Sequence, residues 1–119
     1  MEKVMENPNI KIVESYIHAL RDSDLSAVPF ADDVLFEEPL IQPLNGKEAV
    51  LEYLPNVLPL IKDVKIKQHI ADGEYVATLW DAETPVGLIP VCECFRVVGG
   101  QLKEIKAYFD PRSLTNPAT

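Results

Sequence analysis

Basic residues are scarce in this chain. Its 11 lysines and arginines stand against 19 aspartates and glutamates, a formal net charge of −8. A surface of that sign disfavours nucleic acid and anionic membrane as partners, because both bind basic faces. Long apolar runs are missing too, and nothing approaches the roughly 20 residues of a membrane span. The opening MEKVMENPN carries neither the apolar stretch nor the small-residue cleavage site of an export signal. The expectation is a cytoplasmic protein. Cysteine is limited to Cys92 and Cys94. At i, i+2 on a strand these would share a face at about 6–7 Å, a poor disulfide geometry. Structural zinc would need two more ligands, and His18 and His69 stand at no recognisable ligand spacing. Buried thiols and no metal site are therefore expected.

What is present suits one folded unit. A length of 119 residues with 47% hydrophobic and 25% charged content supports a core and predicts a single domain over 1–119. Asn7-Pro8 reads as a helix start, with Asn as N-cap and Pro at the first helical position. Ile10, Val13, Ile17 and Leu20 follow at helical spacing, and Ile12 and Tyr16 widen the stripe. A short second helix is expected over Leu25 to Ala31, limited by Pro29. A third begins after Asn45-Gly46, with Val50, Leu51, Leu54, Val57, Leu58 and Ile61 as its apolar residues. Pro55 and Pro59 must kink it or break it into turns.

The remainder reads as strand. A short strand covers Val34 to Glu38, and four more run about Val64 to Ala71, Tyr75 to Ala82, Val86 to Val98 and Leu102 to Phe109. Asp72-Gly73, Thr84-Pro85 and Gly99-Gly100 supply their turns. Helices first and an antiparallel meander after them give an α+β architecture, with helices on one sheet face.

Strand parity singles out two acids, because alternate residues share a face. Val34, Phe36 and Glu38 fall together, with Leu35 and Glu37 opposite. Val91, Glu93, Phe95 and Val97 fall together, with Cys92, Cys94 and Arg96 opposite. Glu38 and Glu93 thus lie on the more apolar parity of their strands. Glu38 ends a strand just before Pro39, so parity leaves burial and exposure equally open there. Glu93 lies mid-strand between Val91 and Phe95, and a carboxyl buried there must be paired, hydrogen-bonded or protonated. Tyr16 sits in the apolar stripe of the first helix, where a core role is the ordinary one. Parity leaves Trp80 undecided between pocket and subunit contact. His18 reads as solvated, and His69, alternating with Lys65 and Lys67, reads as part of an exposed face.

The stretches SYIHALRDSDLSAV, FADDVLFEEP, LNGKEAVLEYL, IADGEYVATLW and CECFRVVGGQLKEIKAYFDP resemble the SnoaL-like branch of the nuclear transport factor 2-like superfamily, which includes the ketosteroid isomerases. The resemblance covers about residues 10 to 112. It implies a curved antiparallel sheet wrapped by three helices into a cone, an apolar pocket at the wide end, and a homodimer through the outer sheet face. In the isomerases a tyrosine and a protonated acid bind the oxyanion while a carboxylate before proline shuttles the proton. By resemblance Tyr16 takes the place of that tyrosine, Glu38 the base and Glu93 the second oxyanion donor. Phe109 matches a pocket aromatic. Phe36, Val91, Phe95, Trp80 and Asp110 complete the expected pocket.

Both acids are glutamate where the isomerases use aspartate, which moves each carboxyl by one methylene, about 1.5 Å. A displacement of that order can cost roughly a hundredfold in rate. The chain is also shorter between Thr78 and Pro90, which points away from a steroid and toward a smaller enolisable carbonyl compound. The implied chemistry is proton transfer next to a carbonyl, without metal or organic cofactor. Its rivals are epoxide hydrolysis through an Asp-Arg-Asp relay, a cyclase-like role for Asp110, and a non-catalytic ligand-binding dimer. Arg96 lies on the parity opposite Glu93, which weakens the first. Asp110 before Pro111 is more simply a turn residue.

Overall fold

The structure is a computed structural model that describes residues 7–115. The opening segment that carries the export-signal expectation lies mostly outside these residues. Helix α1 spans Asn9–Asp22, with Pro8 rather than Asn7 at its cap position, one residue later than the sequence predicts. The Asn7 side-chain oxygen accepts the Asn9 amide N–H at 2.9 Å, and the Asn7 carbonyl accepts that of Ile10. These bonds satisfy donors that a helix start otherwise leaves free. The helix ends at Ser23, whose left-handed φ of 55° turns the chain away. Val13, Ile17 and Leu20 are buried on one face, each contributing about 1.5–3 kcal/mol of apolar burial.

The expected helix over Leu25 to Ala31 does not form. Asp24 accepts the Ser26 amide and Leu25 accepts that of Val28, which makes tight turns instead. Phe30 then opens strand β1, Phe30–Glu37, and Pro29 uses its carbonyl to accept the Leu102 amide at 2.8 Å. Pro29 has no amide to continue a helix, and the buried Phe30 and Ala31 gain more from the sheet. A two-residue strand, β2 (Leu44–Asn45), pairs with β1 ahead of helix α2, Lys47–Tyr53. At Pro55 and Pro59 the expected break occurs, as 3-10 turns over Leu54–Asn56 and Leu58–Leu60.

Four long strands follow: β3 (Asp63–Asp72), β4 (Tyr75–Thr84), β5 (Gly87–Val98) and β6 (Gln101–Tyr108). Their meander is antiparallel, as expected. Gly99 and Gly100, with φ of 58° and 78°, form the β5–β6 turn in the left-handed region that hairpin turns require. The complete order is β2-β1-β6-β5-β4-β3, and β1 lies parallel to β6. The sheet is therefore mixed rather than purely antiparallel. The third helix also differs from expectation, being a short C-terminal one, α3 (Arg112–Thr115). This is an α+β fold with a curved sheet, and the inner sheet face and α1 share one core. Among the described residues no helix is long and apolar enough to cross a membrane.

One residue face is reversed. A bulge between Ile66 and Gln68 shifts the β3 register, so His69 pairs with inward-facing Thr78 instead of lying outside with Lys65 and Lys67. Cys92 and Cys94 are free and half-buried on the outer face, less covered than expected.

Candidate active site

Between the inner sheet face, α1 and the α2 region lies an apolar pocket of about 180 Å³. Tyr16, Glu38 and Glu93 all line it, brought there by α1, the end of β1 and the middle of β5. Phe36, Val91, Trp80 and Phe109 also line it. Phe95 and Asp110 do not. The Phe95 ring lies behind Tyr16, edge-on at 5.7 Å between centroids, and Phe30 packs similarly at 6.0 Å. These two rings hold the tyrosine in place from the core side. Asp110 is exposed and paired with Arg112 at 2.6 Å, which holds its carboxyl down at about 2. It is the turn residue that its place before Pro111 suggests.

Glu93 is 2% exposed, which makes it the most deeply placed acid in the site. Burial pushes its pKa from the ordinary 4.5 up to about 8, and the nearby charge of Glu38 adds to the rise. The Trp80 indole N–H, donating to Glu93 Oε1 at 3.0 Å, pulls the other way, as does the Tyr16 hydroxyl to a lesser degree. Burial wins, and the site favours the neutral form of Glu93 well above the ordinary carboxyl range. Tyr16 is likewise pushed well above the usual tyrosine range, by burial first and then by the charges of Glu93 and Glu38. It stays a hydroxyl donor.

Glu38 has a different setting. It is half-buried at the pocket wall and accepts two hydrogen bonds, from the Tyr53 hydroxyl at Oε1 and from the Leu40 amide N–H at Oε2, the latter at 2.7 Å. Tyr53 is itself a pocket residue, and burial, followed by its bond to Glu38, raises its pKa. Sequence reading missed it. Tyr53 stands three residues after Val50 and so shares the inward face of α2, whereas Leu51, taken into the apolar stripe, is 37% exposed. Glu37 turns to the other side of β1, opposite Lys106 in register.

A buried tyrosine hydroxyl and a buried carboxyl group thus face a second carboxyl group in one apolar cavity, and among the described residues no lysine, arginine or histidine lines it. Such a site suits a neutral ligand with one oxygen to be hydrogen-bonded. Among the described residues no cluster of three histidine, cysteine or acidic side chains is arranged to hold a metal ion.

A curved mixed sheet packed with short helices in an α+β arrangement is the architecture of nuclear transport factor 2-like proteins. Within that class the chain belongs to the SnoaL-like domain family, whose sequence profile matches residues 13–105. No curated protein matches it at a significant level. Similar solved structures include an NTF2-like protein from Cytophaga hutchinsonii, 19% identical, with TM-score 0.79 over 96% of this chain and 100% of that one. A steroid delta-isomerase from Pseudomonas aeruginosa is 20% identical, with TM-score 0.74 over 94% of this chain and 86% of its own. A LEH-like epoxide hydrolase from M. tuberculosis is 24% identical, with TM-score 0.70 over 92% and 96%. At these identities the likeness is one of fold.

Proposed function

We propose that this protein catalyses cofactor-free proton transfer next to a carbonyl, an isomerase-type reaction on a small apolar ketone or related compound other than a steroid. The observation that supports it most is the contrast between two carboxyl groups on one apolar pocket. Glu93 is buried, which pushes its pKa up to about 8, whereas Glu38 sits at the wall with two donors aimed at its oxygens. Glu38 removes the α-proton and returns it at another carbon, a general-base role worth typically 10²–10⁴-fold. Tyr16 and Glu93 donate hydrogen bonds to the enolate oxygen as charge builds on it.

The enzymatic rivals find less support. Arg96 lies on the outer face, bonded to Glu74 at 3.1 Å and Glu104 at 3.3 Å, and Ala107 lines the pocket. No guanidinium stands between the two glutamates for an epoxide-opening relay. Asp110, the residue for a cyclase-like role, is outside the cavity and engaged by Arg112.

On the outer sheet face Leu79, Tyr108, Ile70 and Tyr75 are 38%, 56%, 57% and 56% exposed. We propose that a second copy of the chain covers this face, as the family resemblance implies.

Deuterium exchange into a panel of small enolisable ketones tests the function. The wild type accelerates exchange over buffer, and Glu38→Gln loses at least about a hundredfold of that acceleration. Equal exchange by the two proteins sinks the proposal. Tight ketone binding without any exchange would make this a ligand-binding protein instead.

A further inference from the structure

Glu38 is held more firmly than a glutamate at a strand end ordinarily would be. Its two donors come from different elements, Tyr53 from the last residue of α2 and Leu40 from the turn after Pro39. The Tyr53 ring in turn rests on Phe36, two residues before Glu38, with centroids 6.0 Å apart. Tyr53, Phe36 and Glu38 all border the pocket. A glutamate has one more rotatable bond than an aspartate, and without partners its carboxylate spreads over several rotamers. Donors on both oxygens fix its rotation and its reach together. Each oxygen retains a second lone pair, so the clamp leaves an acceptor free for a ligand.

We propose that Tyr53 is a positioning residue for Glu38, clamping its carboxylate together with the Leu40 amide so that a glutamate presents one fixed acceptor to the pocket. The kinetic consequence rests on the proton-transfer reading above, and the structural consequence does not. Tyr53 acts through Glu38 and takes no proton itself. The clamp also offsets the extra methylene, because the carboxylate is placed by its partners rather than by the length of its stem.

Tyr53→Phe removes the hydroxyl and keeps the ring on Phe36, so folding is preserved. In ketone exchange the variant loses about 10–100-fold in kcat, with KM changed by less than about twofold. In a Glu38→Asp background, whose shorter carboxylate withdraws from Tyr53, the same substitution has no further effect. A raised KM at unchanged kcat would make Tyr53 a substrate contact and overturn the proposal, as would independent losses that simply multiply. Ligand-free crystal structures separate the clamp from the chemistry. One Glu38 rotamer in the wild type and several in Tyr53→Phe support the clamp, even if no ketone exchanges and the proton-transfer reading fails. A single unchanged rotamer in both proteins overturns it, whatever the exchange rates.

Discussion

Trp80 and Glu93 are joined diagonally across the β4–β5 pair, the indole N–H donating to Glu93 Oε1 at 3.0 Å while Val91 and Thr78 stand directly opposite them. The indole is a donor only, so it holds Oε1 as an acceptor and leaves the acid's proton to Oε2. A buried carboxyl that is both neutral and oriented can donate into the cavity. The bond thus connects a packing choice, a tryptophan on the inner face of β4, to the chemistry proposed for the pocket.

Stability should register that neutral acid. The fold favours protonated Glu93, so the stability linked to it is fully present below the ordinary pKa of 4.5. It is lost as pH rises through about 8. The full effect is on the order of 5 kcal/mol. Urea unfolding of the wild type is therefore expected to weaken steadily from about pH 5 to pH 8. Glu93→Gln, uncharged throughout, stays comparatively level and gains on the wild type as pH rises. Parallel profiles for the two proteins would contradict the raised pKa.

A second polar group lies part-buried between α1 and the sheet. His69, its side chain 13% exposed, meets Thr78 Oγ1 at 2.8 Å through Nδ1 and Glu14 Oε2 at 2.9 Å through Nε2. Removing the imidazole leaves the fully buried Thr78 hydroxyl without this partner. His69→Leu is expected to cost about 1–3 kcal/mol in urea unfolding. Adding Thr78→Val should recover part of that loss, because it removes the stranded hydroxyl as well. A loss below about 0.5 kcal/mol would show that the bonds add nothing net.

Strand parity made much of this site legible. It turned Glu93 inward because β5 runs from Ile89 to Val97 with unbroken alternation, and its inward residues are all buried. It failed at His69, because the bulge near Lys67 reverses the alternation and no glycine or proline in IKQHI announces it. Helical spacing located α1 but over-read Leu25 to Ala31, where turn bonds and pairing with β6 win over a weak local preference. The parallel β1–β6 contact joins segments far apart in the chain, a relation that no local pattern carries. Phe95 and Val91 share a parity, yet only Val91 reaches the cavity, since Tyr16 lies over Phe95. Parity gives the face of a residue and not what covers it. Helical spacing from Val50 turns Tyr53 inward, but no local pattern joins it to Glu38, 15 residues away.

A protonated glutamate at the base of the pocket is what the proposed chemistry needs most. Infrared spectroscopy of the ligand-free protein, compared with Glu93→Gln, reads this directly. The predicted result is a protonated-carboxyl stretch at pH 7 that fades as pH passes about 8 and is absent from the variant at every neutral pH. A wild-type spectrum at pH 7 indistinguishable from that of Glu93→Gln in the protonated-carboxyl region would contradict it.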